Sequence, residues 1–121
     1  MNLFDASALL CLLRDEPGGD VVESELEGGG ACSAVNWSEV AQKVLAHGKD
    51  WQLARGLLLS YGLRVESVTR DDAEAAAYAW QPGSGLSLAD RLALATADRL
   101  DVTVWTADQA WGSAGRVRQV R

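Results

Sequence analysis

The chain has 121 residues and a formal charge of −6, with 17 acidic side chains against 11 Lys and Arg. Its 48% hydrophobic and 23% charged residues exclude a disordered chain and suit a single domain over residues 1–121, with no room for two. The acid excess argues against a passive nucleic-acid binder, and no apolar run approaches the ~20 residues of a membrane span.

In chain order, Met1–Phe4 reads as a buried strand and Ala6–Leu13 as a helix, stopped by the Arg14-Asp15-Glu16-Pro17-Gly18-Gly19 run. Asp20–Glu27 reads as a short amphipathic helix, and Gly28-Gly29-Gly30 as a turn. Ala31–Val35 is a second buried strand, and Asn36 opens a helix to about His47, closed by Gly48. Asp50–Tyr61 is a further helix, apolar at Trp51, Leu53, Ala54, Leu57, Leu58 and Tyr61. Leu63–Val68 alternates as a third strand, and Thr69 caps a helix through Ala79. After the Trp80–Gly85 loop, Ser87–Leu100 gives the clearest helical pattern. Asp101–Thr106 is a fourth strand, Ala107–Trp111 one helical turn, and Val117–Val120 a last short strand. Strands alternating with helices predict a three-layer α/β/α fold around a parallel sheet of about five short strands.

Cys11 and Cys32 lie among apolar neighbours and read as core residues in a reducing, cytoplasmic setting. With His47 they are too few for a closed zinc site, so any metal must be held by oxygen. The N-terminus carries an acid and no basic segment, so a secretory leader is not expected.

Ligands of an open parallel sheet bind beyond the carboxyl ends of its strands. Asp5, Glu39 and Asp108 each follow a predicted strand, and Asp90 opens the long helix. Each acid alone is explained by helix capping: Asn36…Glu39 and Ser87…Asp90 fit capping boxes, and Thr106 fits the cap of the turn holding Asp108. Taken together, the four fit a shared carboxylate cluster that a divalent cation would hold against mutual repulsion. One residue can serve both roles.

Leu3-Phe4-Asp5-Ala6-Ser7-Ala8-Leu9-Leu10 resembles the opening of PIN domains, and Cys32–Val40 their second motif. Leu86–Ala95, with Asp90, resembles the third, and Val104–Trp111, with Asp108, the fourth. The pattern spans nearly the whole chain and is most similar to the VapC-like ribonuclease toxins of type II toxin–antitoxin pairs. The resemblance implies a PIN-like fold and an Mg²⁺- or Mn²⁺-dependent endoribonuclease that cleaves tRNA or rRNA, leaves a 5′ phosphate and inhibits translation. It implies that Asp5 and Asp90 are central metal ligands, and that Glu39 and Asp108 bind directly or through water. Thr106 and Ser7 become neighbours that orient the acids. A cognate antitoxin and a homodimer are also implied. The helices Asp20–Glu27 and Asp50–Tyr61 are candidate walls for an antitoxin helix, with ordinary packing against the sheet as the alternative.

Two rival functions differ in chemistry. A receiver-type signalling domain would need a phospho-acceptor Asp and a Lys after the last main strand, yet the two lysines, Lys43 and Lys49, lie in predicted helical segments. A metal-free interaction module would use the acids only as caps. His47 reads as a cation at a helix C-terminus, Asp71 and Asp72 as first-turn acids, and Asp98 as solvated. Arg91 reads as structural and Trp105 as buried. Trp37 and Trp111, beside the candidate acids, are weighed as groove-lining rings against core or interface packing.

Overall fold

The computed structural model describes all 121 residues. Five strands form one sheet in the order β3-β2-β1-β4-β5, and every neighbouring pair is parallel. The strands are β1 (Asn2–Phe4), β2 (Gly30–Ser33), β3 (Arg64–Glu66), β4 (Thr103–Thr106) and β5 (Val117–Gln119). Six helices connect them: α1 (Ala6–Leu13), α2 (Gly19–Glu27), α3 (Ala34–Ala46), α4 (Trp51–Ser60), α5 (Arg70–Tyr78) and α6 (Leu88–Leu100). A single 3-10 turn spans Gln109–Trp111. No helix is long and apolar enough to cross a membrane.

Successive strand residues point to opposite faces, and the core divides accordingly. Phe4 and Cys32 face one way, packing with Leu9, Val22, Leu26, Val40, Val44 and Leu58 from α1 to α4. Leu3, Ala31, Val104 and Val117 face the other way, against Ala93 and Ala97 of α6 and against Trp111. The predicted three-layer α/β/α architecture is therefore present. Burying both faces also explains why β1 and β2 carry short apolar runs rather than an apolar–polar alternation.

The second strand ends earlier than the apolar run suggested. Ser33 is the N-cap of α3, accepting from the Asn36 backbone amide at 3.0 Å, so Ala34 and Val35 already belong to the helix. Asn36 does not open α3, and Asn36…Glu39 is no capping box. Asn36 instead sits inside the first turn, fully buried. Gly30 likewise belongs to a strand rather than a turn. A Cβ there would lie 2.5 Å from Phe4 Cε2, so the ring on β1 requires a residue with no side chain beside it.

Both cysteines are buried and unpaired. Burial pushes both thiols up, Cys32 to about 12, which keeps them neutral. Of the aromatic rings, Trp111 is buried in the second core cluster and Trp105 is half-buried, donating from Nε1 to Asn2 Oδ1 at 3.1 Å. The expectation of a buried Trp105 is thus corrected. Trp37 packs edge-on against Trp51 with ring centroids 5.0 Å apart.

Candidate active site

Because β1, β2 and β4 run in the same direction, their carboxyl ends open on one rim. A cavity of about 280 Å³ lies there, and all four predicted acids line it. Asp5 comes directly off β1, Glu39 from α3, Asp90 from the first turn of α6, and Asp108 from the segment after β4. Ser7 and Asn36 line the same cavity.

Asp5 is the centre of the hydrogen-bond network. As the N-cap of α1 it accepts from the Ala8 amide at 2.8 Å and from Ser7 Oγ at 2.7 Å, both on Oδ1. Its Oδ2 accepts from the Thr106 hydroxyl. The Ser7 hydroxyl accepts from the Ala107 amide at 2.9 Å, and Thr106 Oγ1 accepts from the Asp108 amide at 3.0 Å. These bonds tie α1 to the end of β4. Thr106 is not the cap expected for the 3-10 turn: Asp108 itself caps it, its Oδ1 accepting from the Ala110 amide at 2.9 Å.

The other two acids are held by their own helices. Ser87 and Asp90 form the predicted capping box, with Asp90 Oδ2 accepting from the Ser87 amide at 2.9 Å. Glu39 Oε1 accepts from Asn36 Nδ2 at 2.7 Å. Each of Glu39, Asp90 and Asp108 thus keeps one carboxylate oxygen with no protein donor. Asn36 Oδ1 is buried and also has no partner.

The electrostatics single out Asp5, which is only 4% exposed. Burial pushes its carboxyl up to about 6. The Thr106, Ala8 and Ser7 donors oppose that rise, and the negative charge of Asp90 adds to it. No protein cation pairs with Asp5. The four acids share the cavity without closing into a ligand cage: no three acidic, His or Cys side chains stand near enough to one another to hold one ion. Oxygen donors with unfilled lone pairs around a buried, uncompensated carboxylate nevertheless fit a hard cation that retains part of its water shell.

The remaining predicted residues lie elsewhere. His47 caps α3 at its C-terminus and donates from Nδ1 to the Lys43 carbonyl at 2.8 Å. Arg91 points to α5, donating to the Ala76 carbonyl at 2.7 Å. Asp98 pairs with Arg116 at 2.7 Å. Neither Trp37 nor Trp111 lines the cavity. Sequence reasoning missed Arg14, Lys43 and Arg121, which do line it. Their signal was weak, because cations at helix ends and chain ends are common.

Fold and site together define a parallel α/β protein with an acid-lined cleft at the carboxyl edge of its sheet. The PIN domain family model matches residues 3–117, and the chain belongs to that family. No curated protein matches the sequence. Among solved structures, the chain is similar to one from a toxin–antitoxin complex of Klebsiella pneumoniae, with 22% identity and a TM-score of 0.79, covering 100% of this chain and 98% of that one. It is also similar to Mycobacterium tuberculosis VapC20, a toxin that cleaves the sarcin–ricin loop, with 18% identity and a TM-score of 0.73, covering 95% of each chain. At these identities the likeness is one of fold.

Proposed function

We propose that the chain is a divalent-metal-dependent endoribonuclease and the toxin of a toxin–antitoxin pair. One observation carries the reading: acids at positions 5, 39, 90 and 108, from four separate segments, line a single cavity at the carboxyl rim of the sheet. The two similar structures, one a toxin–antitoxin complex and one an RNA-cleaving toxin, support the same direction.

In this reading Asp5 and Asp90 are the central ligands of Mg²⁺ or Mn²⁺, and Glu39 and Asp108 act directly or through water. When bound, the cation supplies activation of water for in-line attack at phosphorus and stabilisation of the leaving oxygen. The chain's own residues orient the donors. Ser7, Thr106 and the Ala8 amide fix the Asp5 carboxylate, which leaves its rotamer little freedom. Asn36 holds Glu39 from one turn earlier on α3. The Ser87 box directs Asp90 toward the rim. An RNA substrate, a cognate antitoxin and a homodimer belong to the same reading.

Of the two helices considered as antitoxin walls, α2 turns its apolar residues Val22 and Leu26 into the core. Helix α4 buries Leu58 but leaves Leu53 and Leu57 exposed. Helix α4 is therefore the better candidate wall.

The test is to express the wild type and Asp5→Asn in cells and sequence the RNA 5′ ends. Discrete new ends with the wild type, absent with a folded Asp5→Asn, are expected. The same ends from both proteins would overturn the assignment.

A further inference from the structure

Cations as well as acids line the cavity. Arg14 at the C-terminus of α1, Lys43 on α3 and Arg121 at the end of the chain line it together with the four acids. Glu16 lines the cavity beside them. Arg14 and Arg121 share one carboxylate, Glu16, at 3.8 and 3.7 Å, and Lys43 forms no ion pair. Arg99, 3.0 Å from Asp72, and Arg116, within 2.8 Å of both Asp98 and Asp101, are held more closely by their acids. In a chain of net charge −6, three cations thus border the cavity that gathers the acids.

A polyanion meets opposite demands at such a site. The phosphate to be attacked belongs among the acids and their cation. The phosphates on either side of it would be repelled there and need cationic partners. Resting on the endoribonuclease reading, we propose that Arg14, Lys43 and Arg121 bind the flanking phosphates of the RNA strand and so fix which phosphodiester enters the acid side. The neighbouring cavity of about 610 Å³ shares Arg14 and Lys43 and adds His47 and Lys49 to an apolar wall of α4. An acidic protein segment is the competing ligand for the two shared cations. The phosphate assignment is favoured because the three cations border the polar, acid-lined cavity itself.

Binding of a structured RNA oligonucleotide is measured against salt concentration in the Asp5→Asn background, with Arg14→Gln, Lys43→Gln and Arg116→Gln added singly and circular dichroism as the folding control. Each lost phosphate contact should shallow the slope of log K against log salt by about 0.7 and weaken binding about fivefold at 0.1 M salt. Arg14→Gln and Lys43→Gln should show this, and Lys43→Arg should restore it. Arg116→Gln, on an arginine already paired, should not.

If the parent binds RNA with a slope that Arg14→Gln and Lys43→Gln leave unchanged, the phosphate assignment is overturned while the nuclease reading stands. The same conclusion follows if those variants keep RNA binding and lose only the binding of an acidic peptide. If the folded wild type makes no new RNA ends in cells, the nuclease reading fails, and the inference with it.

Discussion

Two aspartates, Asp5 and Asp72, are almost equally buried, at 4% and 2% exposure, and the protein treats them in opposite ways. Burial acts to raise both carboxyls. At Asp72 that effect is outweighed by the Arg99 guanidinium, which donates from Nε at 3.0 and 3.2 Å and from Nη2 at 3.1 Å, and by the Thr69 capping box, so its carboxyl lies below the usual range. At Asp5 every donor is neutral, and the carboxyl stays raised at about 6. A buried acid used for architecture carries its own cation within the chain. One left with only hydroxyl and amide partners at the mouth of a cleft has no such cation in the chain, which is what the proposed metal site calls for.

The comparison breaks first on activity. Asp5→Asn should lower RNA cleavage by about 100-fold or more, read by end sequencing or a gel assay, whereas Asp72→Asn should cleave normally wherever it is folded. Next is metal linkage. Mn²⁺ at 100 times its dissociation constant should raise unfolding free energy by roughly 2.7 kcal/mol in the wild type and in Asp72→Asn, and not in Asp5→Asn. Equal stabilisation of all three in calorimetry would place the ion elsewhere.

A smaller effect separates the two acids without metal. Asp5 binds its proton more tightly in the folded state than an ordinary carboxylate does. Its contribution is therefore most favourable below about pH 4 and is lost as pH rises through about 6. In chelator at pH 7.5, Asp5→Asn should be more stable than the wild type by about 2 kcal/mol, a gap that urea titration should find closing toward pH 4. Asp72 has the reverse sign, since its stabilisation is present above the ordinary carboxylate range and is lost as pH falls. The smallest expected change is Arg99→Ala, which leaves Asp72 buried without its cation. Arg99 is about one-third exposed, so the cost is about 1.5 kcal/mol rather than that of a fully buried pair.

The element order was legible in the residues, because apolar runs, glycine stops and the Thr69 and Ser87 caps are local signals. So were Asp5, Glu39 and Asp108 on one rim, since parallel strands dictate which ends meet, whereas Asp90 joins them only because α6 begins beside that rim. The β2–α3 joint was harder to read. Ala34 and Val35 extend the apolar run of the strand, and the cap at Ser33 that turns them into helix shows only once Asn36 donates back to it. The opposite treatment of Asp5 and Asp72 was also hidden. Arg99 lies 27 residues from Asp72 and Thr106 lies 101 from Asp5, and no periodicity reports contacts of that length. Trp111 beside Asp108 suggested a ring at the cleft, whereas its place in the α6-side core comes from the path of the chain after β4.

The five-strand parallel sheet has one more consequence. Its frame is secured by Leu3, Phe4, Ala31, Cys32 and Val104, none of which reaches solvent. The chemistry sits on side chains that the frame merely holds aloft. Lineages built on such a chassis can exchange prey by rewriting a few letters on its brim while the inherited skeleton persists.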